Sequence, residues 1–299
     1  MIIGREVSPP VPPIAPPVLV LGATSLIGRF MLPLLEGQGV RTFAFSRKAP
    51  LDAAGATWVQ ADLDDPRLVA ALPEAATVFS LSPIWLLPAA LPALKARGMV
   101  RLVAFSSTSV FTKAGSDDES ERRTAQKLAD GEAAVIAFCE ANDVAWTILR
   151  PTMIYAEGQD QNVTRLARLI ERLGFLPLAG QGEGLRQPVH AQDLAAGALA
   201  AAQSPAARDK AYDLPGGETL TYRQMSERIF DALGKRPRIL TPPQWLWRLG
   251  FIVAIPFLPG ATAQMGRRMS ADLVFGAGPA ERDLEWAPRP FRPSFSRPH

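Results

Sequence analysis

Seven consecutive residues, Gly22-Ala23-Thr24-Ser25-Leu26-Ile27-Gly28, have the types and spacing needed to hold a phosphate. They follow an unbroken apolar run, Val18-Leu19-Val20-Leu21, that reads as a fully buried parallel strand. They open a stretch that reads as a helix over 28–35. A strand turning into a helix aims unpaired backbone N–H groups, and the positive end of the helix dipole, into the turn, which stabilises an anion there. Gly22 permits the tight turn, and Gly28 permits close packing of helix on strand. Ser25 stands where a middle glycine would bring backbone nearest to a phosphate. It is small, and its hydroxyl can donate to a phosphate oxygen. Thr24, Leu26 and Ile27 complete the cradle. The competing reading is a plain tight βα turn.

The second group is Ser46-Arg47-Lys48, at the end of a strand expected over 40–46. A dinucleotide with a free ribose 2′-hydroxyl is held by a carboxylate at this place. None is present. Arg47 and Lys48 suit a 2′-phosphate through charge-assisted hydrogen bonds. NADP(H) is therefore expected over NAD(H), against the alternative that these are ordinary surface cations. Asp62 and Leu63 follow a third strand, 57–60, where contact with the adenine is expected.

These groups need a scaffold, and the first half of the chain supplies one. Further strands are expected over 76–81, 100–106 and 144–150. Helices are expected over 88–97 and 119–142, the latter interrupted or bent near Gly131. Asp64 or Asp65 followed by Pro66 marks another helix start. Alternating strands and helices predict an α/β fold, a Rossmann-type doubly wound parallel sheet. Beyond Pro151 the pattern loosens into helices over 163–173, 191–202 and 221–233, with a strand entering the turn at Gly216-Gly217. This predicts a small, mostly helical C-terminal substrate lobe. The expected organisation is a proline-rich arm over 1–17, a nucleotide-binding core over 18–155, remaining sheet elements and the lobe over 156–287, and a surface tail over 288–299.

Composition excludes several classes. The chain has 299 residues, 47% of them hydrophobic, and a formal net charge of +3 without a long single-sign run, so a nucleic-acid surface is not expected. Its one cysteine, Cys139, allows no internal disulfide, suits a cytoplasmic setting and reads as core packing in an alanine-rich stretch. No cluster of histidine, cysteine and carboxylate has metal-ligand spacing. The proline-rich start is not a secretory signal. Residues 245–258 are apolar, carry Trp245 and Trp247 beside Arg248, and stop at Pro256 and Pro259. They are too short to span a bilayer. They read as a core helix, a peripheral membrane or lipid-contacting helix, or a wall of the cleft. Oligomeric state is not legible.

From residue 18 to about 214 the chain resembles the extended short-chain dehydrogenase/reductases, the group that includes NAD-dependent epimerases and dehydratases. Four segments carry the resemblance: residues 22–28; Phe105-Ser106-Ser107-Thr108-Ser109-Val110-Phe111; Leu149-Arg150-Pro151-Thr152-Met153-Ile154-Tyr155; and Arg186-Gln187-Pro188-Val189-His190-Ala191-Gln192-Asp193-Leu194. The resemblance implies that Leu81, Ser82, Ser106, Pro151, Thr152 and Met153 line the cofactor. It implies that Ser107 orients the substrate oxygen and that Arg186 contacts a substrate diphosphate. The family's acid/base pair, a tyrosine four residues before a lysine, is missing: Arg123 stands four before Lys127, and none of the three tyrosines begins such a pair. Lys127 matches the ribose-binding lysine or is a solvated surface lysine. Tyr155 is the one tyrosine placed near the expected chemistry, as proton donor in place of the missing one, with water the other source.

On the substrate side, Arg186 also reads as a salt-bridge partner, His190 as a hydrogen-bonded structural histidine, and Asp193 as the cap of the following helix. Trp85, in the apolar run Ser82-Pro83-Ile84-Trp85-Leu86-Leu87, is a candidate wall of a hydrophobic substrate site. Two functions follow. One is an NADP(H)-dependent oxidoreductase or epimerase-like enzyme acting on a carbonyl or hydroxyl of an unknown small molecule, nucleotide-sugar-like or hydrophobic. The other is a non-catalytic NADP(H)-binding structural or redox-sensing protein, similar to an accessory subunit of respiratory complex I.

Overall fold

The computed structural model describes residues 13–48, 55–63, 65, 72–178, 180–242 and 271–295. The apolar segment 245–258 and the helix start at Asp64 and Pro66 lie outside the described residues. The first half comprises β1 (Val18–Leu21), α1 (Leu26–Gly37), β2 (Thr42–Ser46), β3 (Thr57–Gln60), β4 (Thr77–Ser80), α2 (Leu91–Ala96), β5 (Arg101–Phe105), α3 (Ser109–Thr112), α4 (Glu119–Ala141) and β6 (Ala145–Pro151). Then follow β7 (Ile154–Tyr155), α5 (Val163–Leu173), β8 (Leu176–Pro177), β9 (Leu185–Arg186), β10 (Val189–His190), α6 (Ala191–Gln203), β11 (Lys210–Leu214), β12 (Leu220–Thr221), α7 (Tyr222–Ala232), β13 (Ile239–Leu240) and α8 (Gly278–Leu284).

Seven strands form one parallel sheet in the order β11-β6-β5-β4-β1-β2-β3. Both faces are covered, which is why β1 and β5 show no polar alternation. Leu19, Leu21, Leu102, Ala104 and Ile148 enter the core that also holds Val135 and Cys139 of α4. Val20, Val103, Phe105 and Leu149 enter the opposite core, with Ile27 and Met31 of α1 and Leu194 and Ala198 of α6. The strand order reverses between β1 and β4, so a crevice opens there at the carboxyl ends of the strands.

α4 begins at Asp118, whose Oδ1 accepts from the Ser120 N–H at 2.7 Å, with Glu119 and Glu121 facing the positive end of the helix dipole. It then runs unbroken through Gly131, where the sequence suggests a bend. A Cβ at 131 would lie 3.0 Å from the backbone N and Cα of Trp85. The glycine is therefore a packing contact between the helix and the 3-10 turn Ile84–Leu86.

The C-terminal lobe has its own core, between α5 and α7, containing Val163, Ile170, Met225, Phe230, Tyr155 and Phe291. Three two-stranded ladders, β10–β7, β12–β9 and β13–β8, form small sheets separate from the large one. Thr221 and Gln224 form a reciprocal capping box at the start of α7. Residues 288–295 are not a surface tail. Phe291 is fully buried, its ring 5.0 Å from that of Tyr155, and Arg289 pairs with Asp193 at 2.8 Å. Proline-rich composition concealed an aromatic anchor. The arm also ends docked: Ile14 is buried, and the carbonyls of Ala15 and Pro17 accept from Thr77 Oγ1 and the Ala76 N–H. Among the described residues, no helix is long and apolar enough to cross a membrane.

Candidate functional site

The turn between β1 and α1 is shaped by what cannot fit in it. Gly22 has φ +72°, and a Cβ there would lie 2.8 Å from Ser82 Oγ; a Cβ on Gly28 would lie 2.1 Å from the Ala23 carbonyl oxygen. The turn is bonded to both neighbours: the Ala23 N–H donates to the Phe45 carbonyl, the Leu81 N–H donates to the Leu21 carbonyl, and the Thr24 and Ser46 hydroxyls are 2.9 Å apart. Ser25 is the N-cap of α1, its Oγ accepting from the Gly28 N–H at 3.2 Å. Its hydroxyl hydrogen can still be donated outward. The N–H groups of Leu26 and Ile27, at the first two helical positions, have no partner within the helix.

Arg47 and Lys48 are exposed beyond β2, one strand from the turn. Their backbones are held, since Gln60 Nε2 donates to the Arg47 carbonyl and the Lys48 N–H donates to Ser46 Oγ. Beyond β3, Leu63 is buried and Asp62 half-buried. Beyond β4 come half-buried Leu81 and Ser82, then Trp85, which is 37% exposed. Two hydroxyls at the carboxyl ends of β4 and β5, Ser80 Oγ and Ser106 Oγ, are buried without a hydrogen-bond partner among the described residues. Buried polar groups are rarely left this way, and a bound polar ligand or water would satisfy them. A tight cradle, a helix N-terminus, nearby cations and two orphaned hydroxyls together fit a dinucleotide phosphate.

Past β5, Ser107 Oγ accepts from the Ser109 N–H at 3.1 Å and so starts α3. The Thr108 N–H and hydroxyl both donate to the Pro151 carbonyl, fixing this segment on the end of β6. The Thr152 hydroxyl donates to the Gln187 carbonyl, and half-buried Met153 leans on the C-terminal core.

The structure redirects four residues singled out in the sequence. Tyr155 is buried in the C-terminal core, edge-on to the rings of His190 and Phe291; burial, with the Glu157 carboxylate nearby, pushes its pKa well above the usual phenol value. It is not placed as a proton donor. Lys127 is exposed; the buried row of α4 is Glu121, Ala125, Leu128, Glu132 and Val135. Arg186 is 3% exposed, donates through Nη1 to the carbonyls of Leu185 and Ala271, and stacks 5.6 Å from the Tyr222 ring. Burial lowers its pKa. It is a buried structural cation, not one presented to a diphosphate. Asp193 does not cap α6. His190 does, its Nδ1 accepting from the Gln192 N–H, while Asp193 is drawn away to Arg289. His190 is indeed hydrogen-bonded, its Nε2 lying 3.2 Å from Glu157 Oε2.

One cluster escaped sequence reasoning. Arg150, at the end of β6, lies against Glu132 of α4 in a two-pronged ion pair, with Nη2 2.5 Å from Oε2 and Asp213 at 3.9 Å on its other side. Burial is the largest single influence and lowers the Arg150 pKa, but the Glu132 hydrogen bond and the charges of Glu132 and Asp213 together outweigh it, and the net shift is upward. Its guanidinium lies 5.0 Å from the centre of the Phe111 ring. Glu132 and Arg150 are eighteen residues apart, so no local pattern signals them.

Residues 88–214 match the NAD dependent epimerase/dehydratase family. The chain is 34% identical over 119 residues to NADH dehydrogenase [ubiquinone] 1 alpha subcomplex subunit 9, mitochondrial, of Arabidopsis thaliana, a match spanning 39% of this chain and only 28% of that protein. It is 27% identical over 233 residues to the NAD(P)H azoreductase of Xenophilus azovorans, covering 74% of this chain and 75% of that protein. Its fold is similar to that of MoeE5 in complex with UDP-glucuronic acid and NAD, with a TM-score of 0.71 at 20% identity, over 92% of this chain and 94% of that one. With the reversal of strand order at the glycine turn, the fold is a Rossmann-type parallel sheet like that of MoeE5, and over residues 88–214 the chain is similar to the NAD dependent epimerase/dehydratase family.

Proposed function

We propose that this protein binds NADP(H) across the crevice between β1 and β4 and acts as an oxidoreductase or epimerase-like enzyme on a carbonyl or hydroxyl group. One observation carries the reading: the Gly22–Gly28 turn closes so tightly on itself that residue 28 has no room for a Cβ, and it delivers the N-terminus of α1 to the switch point of the sheet. Gly22, Thr24, Ser25, Leu26, Ile27 and Gly28 would hold the pyrophosphate, Arg47 and Lys48 the 2′-phosphate, and Asp62 and Leu63 the adenine side. Leu81, Ser82, Ser106, Pro151, Thr152 and Met153 would line the nicotinamide half. When bound, the nicotinamide supplies or accepts the hydride. Ser107, whose oxygen already accepts from the Ser109 N–H, keeps its hydrogen to donate to a substrate oxygen. With Tyr155 buried and Lys127 facing solvent, the proton comes from water.

A non-catalytic, cofactor-holding role is the second reading. It is favoured by α4, where Arg123 stands in place of the family's tyrosine and Lys127 is exposed. It is also favoured by the likeness to a respiratory complex I subunit. Incubation with NADPH deuterated at C4 and a panel of ketones and aldehydes separates the two. The enzymatic reading expects deuterium at the carbinol carbon of a product alcohol. NADPH binding without any transfer would favour the second reading.

A further inference from the structure

Arg186 is committed to backbone carbonyls and to the Tyr222 ring, which leaves open what the substrate side of the site is built to hold. Above the carboxyl ends of β5 and β6 stand two aromatic rings. Phe111 is 51% exposed, and its ring centre lies 6.3 Å from that of half-buried Phe275, the planes 35° apart. Val274 beside them is 45% exposed. Paired exposed rings of this kind mark a surface that a ligand can cover.

Neither ring is there by accident of a loose loop. Phe111 lies four residues beyond Ser107 on one helical path, since the Val110 N–H donates to the Ser107 carbonyl and the Phe111 N–H to that of Thr108. Arg150 backs its ring. Phe275 is held by the side-chain amide of Gln187, which accepts from the Phe275 N–H at 2.8 Å and donates to its carbonyl at 3.2 Å. The Gln187 carbonyl in turn accepts from the Thr152 hydroxyl. The Leu273 N–H and the Asp272 carboxylate bond to Leu185 on β9, so the segment bearing Phe275 lies along that strand.

The charge of the slot argues in the same direction. Among the described residues, the cation that lies against the Phe111 ring, Arg150, is already paired with Glu132 and Asp213. We propose that Phe111 and Phe275 form an aromatic slot that grips the planar, apolar portion of a neutral carbonyl substrate, and that this site does not select nucleotide diphosphates. The inference deepens the oxidoreductase reading and rests on it for placing the reacting carbonyl near Ser107.

Binding tests the slot apart from turnover. The full-length protein with NADP+ present is titrated by calorimetry with 2-naphthaldehyde and with UDP-glucose. The same is done for Phe111→Ala, Phe111→Leu and Phe275→Ala, each checked for an unchanged circular dichroism spectrum and melting temperature. The expected result is naphthaldehyde binding in the wild type, weakened about tenfold in both alanine variants, as loss of an aromatic contact plus its area predicts, with Phe111→Leu between. UDP-glucose should not compete. Binding of UDP-glucose with naphthaldehyde unaffected by either alanine change overturns the proposal. So does a wild type that binds no naphthaldehyde, whether or not Phe111→Ala changes the melting temperature. Naphthaldehyde that binds through the slot but gives no alcohol in a parallel incubation with NADPH upholds the slot while counting against the oxidoreductase reading.

Discussion

Gly28→Ala is the sharpest perturbation of the phosphate cradle. The added methyl would sit 2.1 Å from the Ala23 carbonyl oxygen and 2.7 Å from its carbon. Both are backbone atoms of a turn pinned to β2 through the Ala23 N–H and the Phe45 carbonyl, so they cannot swing aside. To reach even the 3.0 Å limit of real contacts, the first turn of α1 must lift by about 1 Å. Overpacking of this kind costs about 1–3 kcal/mol of stability. The lift also carries the N–H groups of Leu26 and Ile27 away from their common target. One hydrogen bond to a charged group contributes about 1.5–3 kcal/mol, so NADPH affinity should fall roughly ten- to a hundredfold. Gly37→Ala, in the last turn of the same helix, is the control. Nothing lies within 4 Å of its new Cβ, so it should leave affinity unchanged and add about 0.4–1 kcal/mol. Fluorescence titration with NADPH and urea unfolding of the two variants provide the readings. Wild-type affinity and an unshifted urea midpoint in Gly28→Ala would refute the packing argument.

Three further outcomes are expected. Phe291→Ala empties a fully buried site against Tyr155 and should cost about 3–5 kcal/mol in urea unfolding; a cost under about 1 kcal/mol would mean that residues 288–295 are not docked in solution. At Glu157, burial alone would raise the carboxyl pKa, but the bond to His190 and the backbone donors hold it below the usual range. That stabilisation is fully present above the unfolded value of about 4.3 and is lost as pH falls through the lower folded value; Glu157→Gln should flatten this acid limb, and an unchanged limb counts against the pair. Burial pushes the Cys139 thiol up to about 12, so Ellman's reagent at mildly alkaline pH should label it only after unfolding in urea, and rapid labelling of the folded protein would contradict its packing in the core.

The sheet was readable in the sequence because its information is local. Leu19 and Leu21 serve one face and Val18 and Val20 the other, so the run has no polar gap, and Gly22 and Gly28 mark the turn that follows. What escaped was long-range. Asp193 has the composition of a cap, yet Arg289, far along the chain, takes its carboxylate and leaves His190 to cap α6. Phe291 lies among prolines that suggest a loose tail, and only the space between α5 and α7 explains its burial. Tyr155 closes one of the segments that carry the family resemblance, but its side chain turns into the C-terminal core. The Gln187 clamp on Phe275 joins segments separated by 88 residues, a pairing no spacing rule reports.

The central claim is that this cradle takes a nicotinamide dinucleotide carrying a 2′-phosphate. Titration of the wild type and of Arg47→Ala with NADPH and with NADH, at one ionic strength, tests it most directly. NADPH should bind the wild type more tightly than NADH. Arg47→Ala should weaken NADPH by about 1.5–3 kcal/mol, the contribution of hydrogen bonds to a charged group, and leave NADH nearly unchanged. Equal affinity of the wild type for both cofactors, or binding of neither, would contradict the account.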